Sequence, residues 1–295
     1  MSVDELSTAP PAARDTAASR PHHNPGSGIH PGRPTASPLP RRVHVDGIGF
    51  HPLTEAQVLD RIFHDLSTGT GGFVVTPNVD IVRQLRRGSL QEITDRASLV
   101  VADGMPVVWA SRLAARPLPA RVSGSSLVRS LAGRAARTGR SVYLLGGAPG
   151  IAGRAADNLA AQLPTLRPVR WACPALGFEN DPRQLAGIVE GLRAAAPDIV
   201  LVGLGFPKQE QLILRLHEQF PATWFVGCGG GLTMLAGAVD RAPGWAQRSG
   251  LEWAHRLARE PRRLARRYLV DDAPFAIGML ARAAASRFRR SPADS

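Results

Sequence analysis

At 295 residues the chain exceeds one average domain and fits a single large α/β domain with extra segments at its ends. An apolar fraction of 44% with 20% charged residues is that of an ordinary globular protein, which excludes disorder of the whole chain. The formal charge of +12 is uneven: from Arg241 onward 12 arginines oppose 5 acids, so the basic surface is mostly C-terminal, and charge alone does not choose among nucleic acid, anionic lipid and a phosphorylated substrate as its partner.

Residues 1–42 are rich in Pro, Ala, Ser, Gly and His and hold almost nothing to bury, so they read as a disordered tail. The tail histidines His22, His23 and His30 match no zinc spacing. Cys173 and Cys228 show no CxxC spacing and no neighbouring Cys/His cluster, which favours a reduced compartment and no structural metal. The N-terminus lacks the apolar core of a secretory signal, and no run approaches the roughly 18 apolar residues of a spanning helix. A cytoplasmic protein that sits on the inner face of the membrane is the expectation.

From Val43 to about Asp240, short β-rich apolar runs alternate with helical patterns. The runs are Gly72–Thr76, Ser98–Ala102, Ser141–Gly146, Pro168–Ala172, Asp198–Gly203 and Thr223–Cys228. They lack polar alternation, as strands buried on both faces do. Helical segments are expected at Thr54–Leu66, Val79–Arg87, Ser123–Thr138, Gly150–Leu163, Pro182–Ala196 and Lys208–Phe220. This order predicts an α/β fold: a mostly parallel, Rossmann-like sheet with helices on both faces over 43–240, followed by a basic helical appendage over 241–295. In such sheets the active site lies at the carboxyl ends of the strands.

The strand ends therefore carry the candidates. The first two runs lead into Thr76-Pro77-Asn78 and Asp103-Gly104. Small polar residues there can simply cap helices, but a lone carboxylate at a strand end is also placed to act as a general base. The glycine turns Gly146-Gly147 and Gly203 to Gly205 suit phosphate, yet neither has the GxGxxG spacing of a dinucleotide site, and no P-loop is present. Lys208 is the one lysine of the chain, and Pro207 would start a helix with Lys208, Gln209 and Glu210 in its first turn. Gly229 and Gly230 would let a ligand approach the backbone closely.

These segments together resemble the WecG/TagA/CpsF family, glycosyltransferase family 26, from about Val43 to Leu269. The resemblance is carried by TPNVD at Thr76–Asp80, Asp103 within ADGMPVV, Arg121–Gly124, LLGGAPG, DIVLVGLGFPKQE, Leu235–Pro243 and LEWAHRLAREPRRLARRYL at Leu251–Leu269. It implies an inverting, metal-independent transfer of a hexose or N-acetylhexosamine, of the N-acetylmannosamine type, from a UDP-sugar to an undecaprenyl-pyrophosphate-linked sugar in cell-surface polysaccharide synthesis, with no cofactor. It also implies that Asp103 is the base, that Thr76 and Asn78 contact substrate, that Arg121 balances phosphate charge and that Gln209 belongs to the donor site. No DxD pair occurs in the core, as a metal-free mechanism leads one to expect. Two departures each remove a carboxylate near the expected site: Ser126 and Thr233 stand where the family usually has acids.

The C-terminal segment resembles the family's membrane-targeting appendage. Trp253, Leu257, Leu264 and Tyr268 recur at helical spacing, while Arg256, Arg259, Arg263, Arg266 and Arg267 crowd the rest, a pattern suited to an anionic membrane surface or the acceptor pyrophosphate. The weakly apolar Ala273–Ala285 is too short to span and could lie in the interface. Two other classes fit less well. An NAD-type oxidoreductase would need a dinucleotide fingerprint that the turns lack, and a noncatalytic nucleic-acid-binding protein fits poorly with few aromatics and arginines outside the core. No nucleic-acid partner is expected, and a homo-oligomer is compatible with the sequence.

Overall fold

The structure is a computed structural model that describes residues 38–288 except 89, 240, 241, 245 and 247–251. Residues 1–37 of the expected tail, and the expected boundary at 240–241, lie outside the described residues.

The chain enters through a two-stranded antiparallel hairpin, β1 (Val43–Val45) and β2 (Ile48–Phe50). Its turn is Asp46-Gly47, both at positive φ, which is the backbone that a two-residue hairpin favours. Helix α1 (Glu55–Ser67) starts at a Thr54/Gln57 capping box. There follow β3 (Gly72–Val75), α2 (Val79–Leu85), α3 (Gln91–Arg96), β4 (Leu99–Val100), α4 (Met105–Leu113) and α5 (Gly124–Thr138). The second half runs β5 (Val142–Gly146), α6 (Ile151–Gln162), β6 (Arg170–Ala172), α7 (Pro182–Ala195), β7 (Ile199–Gly203), α8 (Lys208–Leu216), β8 (Trp224–Gly227) and α9 (Gly231–Leu235).

Six strands form one parallel sheet in the order β4-β3-β8-β7-β5-β6, so the α/β, Rossmann-like expectation holds and each of the six apolar runs contains a strand. Strand side chains alternate between two cores. Val74, Leu99, Leu144, Leu201 and Val226 face one packed with α1, α5, α6 and α9. Phe73, Val75, Val100, Tyr143, Val200 and Phe225 face the other, with α2, α4, α7 and α8. One expectation is corrected: β6 is not buried on both faces. It is the sheet's edge strand, with Trp171 49% exposed, since nothing pairs with its outer side.

The adjacent strands β3 and β8 send their following helices, α2 and α9, into opposite cores. Such a divergence marks a topological switch point, and in parallel sheets ligands bind in the crevice outside the carboxyl ends of the strands there.

The basic segment is not one continuous amphipathic helix. It consists of α10 (Glu252–Arg259), a break at Pro261, α11 (Pro261–Ala265), a π-helical stretch (Arg266–Asp272) and α12 (Ala273–Phe288). Pro261 cannot donate within a helix, which ends α10. Helix α12 packs on α4 with Met279 fully buried, while Ile277 on the same helix is 68% exposed. Arg282 from this helix and Arg86 both pair with Asp46 of the hairpin turn. Among the described residues no helix is long and apolar enough to cross a membrane.

Candidate active site

The crevice is assembled from backbone contacts between strand ends. The Asp103 N–H donates to the Pro77 carbonyl at 3.0 Å, tying the β4 turn to the Thr76-Pro77-Asn78 turn after β3. The Val122 N–H donates to the Ala102 carbonyl at 2.8 Å, which brings the Arg121 loop alongside Asp103. Helix α5 then starts unusually close to the sheet. A Cβ on Gly124 would lie 3.0 Å from the Gly227 carbonyl oxygen and 3.4 Å from Thr76 Oγ1, so a side chain here would push the strand end aside by a few tenths of an ångström. Thr76 is buried at that contact, and Asn78 caps α2 by accepting the Ile81 N–H at 3.1 Å. The capping reading thus holds at Asn78, whose amide nitrogen is not used by the cap.

Asp103 is partly exposed as a residue at this edge. Desolvation by surrounding protein pushes its pKa up to about 6, Arg121 and Arg256 pull it down, and Glu252 pushes it up. Glu252 was not singled out by the motifs, although it stands in the Glu-Trp pair that opens the C-terminal block. It is 7% exposed, and its two oxygens accept from different arginines, Oε2 from Arg121 Nη1 at 2.7 Å and Oε1 from Arg256 Nη2 at 3.1 Å. The Nε of Arg256 is buried and has no hydrogen-bond partner among the described residues. A buried donor of this kind beside a carboxylate base is suited to an incoming anionic oxygen.

On the other side of the crevice, the turns after β5, β7 and β8 are knitted together. Gly147 N–H donates to the Gly203 carbonyl at 2.9 Å, which fixes Gly146 and Gly147 against β7. Gln209 Oε1 accepts from Gly205 N–H at 3.2 Å and Gly229 N–H at 3.1 Å, and its Nε2 donates to Glu210 Oε1 at 2.7 Å. Gly230, exposed, begins α9.

Several sequence expectations are corrected here. Glu210 is only 1% exposed and lies beneath the turns, so it does not contact a ligand directly; burial raises its pKa to about 7, and its Oε2 has no partner among the described residues. Gln209, 4% exposed, spends its carbonyl on bracing the two glycine turns. Lys208 is paired with Glu179 on the loop after β6, so its charge is already opposed. Arg267 pairs with Asp80 Oδ2 at 3.0 Å and Asp272 Oδ2 at 3.5 Å, in a cluster that Arg83 completes. It therefore ties the C-terminal segment to α2 while its side chain stays more than a third exposed. Arg259 and Arg266 are exposed, and the side chain of Arg263 lies outside the described residues. Ser126, where an acid was expected, joins the Ser123 hydroxyl at 3.0 Å in the first turn of α5. None of these residues lines the cavity of about 420 Å³ between the β1–β2 turn, α4 and α12.

A carboxylate acted on by two arginines at the carboxyl ends of a parallel sheet is an arrangement suited to group transfer from a phosphorylated substrate. Residues 43–289 match the Glycosyl transferase WecG/TagA/CpsF family, and the chain belongs to that family: it is a glycosyltransferase. Among its relatives is an N-acetylglucosaminyldiphosphoundecaprenol N-acetyl-beta-D-mannosaminyltransferase of Bacillus spizizenii, 30% identical over 199 residues, or 67% of this chain and 75% of the relative. An enzyme of the same name from Staphylococcus aureus strain MW2 is 31% identical over 229 residues, covering 76% of this chain and 87% of the relative.

Proposed function

We propose that this enzyme transfers N-acetylmannosamine from a UDP-sugar to N-acetylglucosaminyl-diphosphoundecaprenol, with inversion and without a metal, in the synthesis of a cell-surface polymer. The relatives' names support the transferred sugar and the lipid-diphosphate acceptor. The observation that carries the mechanism is Asp103, a partly exposed residue whose carboxyl pKa of about 6 lies near working pH. In the proposed step the acceptor hydroxyl attacks the anomeric carbon while Asp103 takes its proton. The bond from that carbon to the phosphate oxygen breaks, and UDP leaves with the electron pair. Arg121 and the spare donor of Arg256 offset the charge that develops on the diphosphate. Thr76 and Asn78 line the acceptor side of Asp103, and the Gly146-Gly147, Gly205 and Gly229-Gly230 turns the nucleotide side.

The protein would work as a peripheral protein on the inner face of the membrane. Support comes from Arg259, Arg262 and Arg266, exposed in the same segment as Leu269 at 55% and Val270 at 65% exposure.

The deciding assay is UDP release from UDP-N-acetylmannosamine with a short-chain N-acetylglucosaminyl-diphosphoprenol acceptor. Asp103→Asn should lower kcat by about 10²–10⁴-fold, the range for a lost general base, with little change in donor KM. For the wild type, kcat/KM should fall as pH drops through about 6, because the free base is lost by protonation. A wild type that never releases UDP, or an Asn variant as fast as wild type, would sink the reading.

A further inference from the structure

We propose that Glu252 is a positioning residue for glycosyl transfer, reaching from α10 to hold Arg121 and Arg256 apart and in place beside Asp103. This rests on the reading of Asp103 as the base. The placement is specific: Glu252 opens a helix of a basic, largely exposed segment, yet it is 7% exposed. A buried carboxylate persists where it is paired. Its two oxygens serve two arginines from different parts of the fold, Arg121 from the loop before α5 at 2.7 Å and Arg256 from α10 at 3.1 Å. The carboxylate is therefore the tie through which the C-terminal segment meets the crevice.

The charges explain why a tie is needed. The groups acting electrostatically on Asp103 are Arg121 and Arg256 as cations and Glu252 as an anion. With Glu252 removed, both guanidinium groups lose their bridging partner and are drawn to the carboxylate that remains, Asp103. That would saturate the base with hydrogen bonds, lower its affinity for the acceptor's proton and turn the arginine donors away from the diphosphate. Glu252 prevents this collapse and leaves the Arg256 Nε without a hydrogen-bond partner among the described residues, ready for a phosphate oxygen. It touches neither reacting atom; it acts through the two arginines.

The test uses the full chain with UDP-N-acetylmannosamine and the short-chain acceptor, with kcat and KM followed from about pH 5 to about pH 9. Three enzymes are compared: wild type, Glu252→Asp and Glu252→Gln. Loss of the negative charge and approach of the arginines both lower the pKa of Asp103, so the acid limb of kcat/KM should move down by about half a pH unit or more in Glu252→Gln. Plateau kcat should fall about 10-fold or more in that variant. Glu252→Asp keeps the charge with a shorter reach, so its limb should lie between the other two and its kcat should recover in part. A residue that served folding alone would change the amount of active enzyme and leave the limb where it was. Unmoved limbs in both variants overturn the inference, whether or not kcat falls. If Glu252→Gln does not fold, the Asp variant decides alone: a limb below that of wild type supports the inference and an unmoved one overturns it. Asp103→Asn, run in parallel, separates the two ideas. If it turns over like wild type the base reading fails, whereas an inactive Asn variant beside Glu252 variants with wild-type limbs removes only the role of Glu252.

Discussion

Asp103 and Glu210 are both carboxylates held above their ordinary pKa by desolvation, but one meets the crevice and the other is sealed beneath it. For Glu210 the consequence is one of stability. Its folded pKa of about 7 exceeds the ordinary 4.5, so its contribution is fully present below about 4.5 and is lost as pH rises through about 7. Glu210→Gln keeps the shape and removes the titration. The difference in melting temperature between variant and wild type should therefore grow more positive from pH 5 to pH 8, reflecting on the order of 3 kcal/mol at most. A difference that is flat with pH would show that Glu210 is not held protonated. His51 works with the opposite sign of charge. Burial and Arg42 lower its pKa to about 4 while its Nδ1 accepts the Val100 N–H at 3.0 Å, so stability from this group is lost as pH falls from about 6.5 through about 4.

At the level of elements, the glycine turns depend on what packs behind them. A Cβ on Gly227, the last residue of β8, would lie 2.7 Å from Gln209 Nε2 and 2.9 Å from Glu210 Oε1. Gly227→Ala should therefore displace the amide that braces Gly205 and Gly229. Overpacking of this kind destabilises by about 1–3 kcal/mol, or roughly 2–12 °C in Tm for a chain of this size. Donor KM should rise as well, because both turns loosen together. Calorimetry and donor titration check the two effects, and unchanged values in both would remove the bracing role from Gln209. The elements that periodicity left unassigned are the β1–β2 hairpin, α3, α4 and α9. Each is short or uniformly apolar: α4 buries Val107, Val108 and Ala110 between the core and α12, so no polar face marked it in the chain.

For the whole molecule, the arginine excess divides into two populations. Arg83, Arg121, Arg256, Arg267 and Arg282 are opposed by Asp80, Glu252, Asp272 or Asp46 and fasten the C-terminal segment to the α/β body. Arg262 and Arg266 are exposed in the same segment as the exposed Leu269 and Val270. If this second group meets the membrane, the full chain should co-sediment with vesicles containing phosphatidylglycerol. Binding should weaken as salt rises from about 0.05 M to about 0.5 M, where the screening length shortens. The combined variant Arg266→Glu, Leu269→Ser and Val270→Ser should lose most of this binding while keeping its melting temperature, since the three side chains are exposed. Vesicle binding equal to that of wild type would move the membrane contact elsewhere.

The sheet was readable from the sequence alone because buried parallel strands are short continuous apolar runs and the helices between them repeat at a 3.6-residue period. The strand-end rule points to Thr76, Asp103 and the glycine turns, all of which lie at the carboxyl ends of the parallel strands. What tertiary structure alone decided is which charges oppose which. Nothing in the spacing of Lys208 or Arg267 says that Glu179, Asp80 and Asp272 will meet them, and nothing local marks Glu252 as the partner of Arg121. Periodicity reports which face of an element is buried. Pairings between residues far apart in the chain depend on the docking of whole elements, and here the docking of the C-terminal helices sets the charge around Asp103.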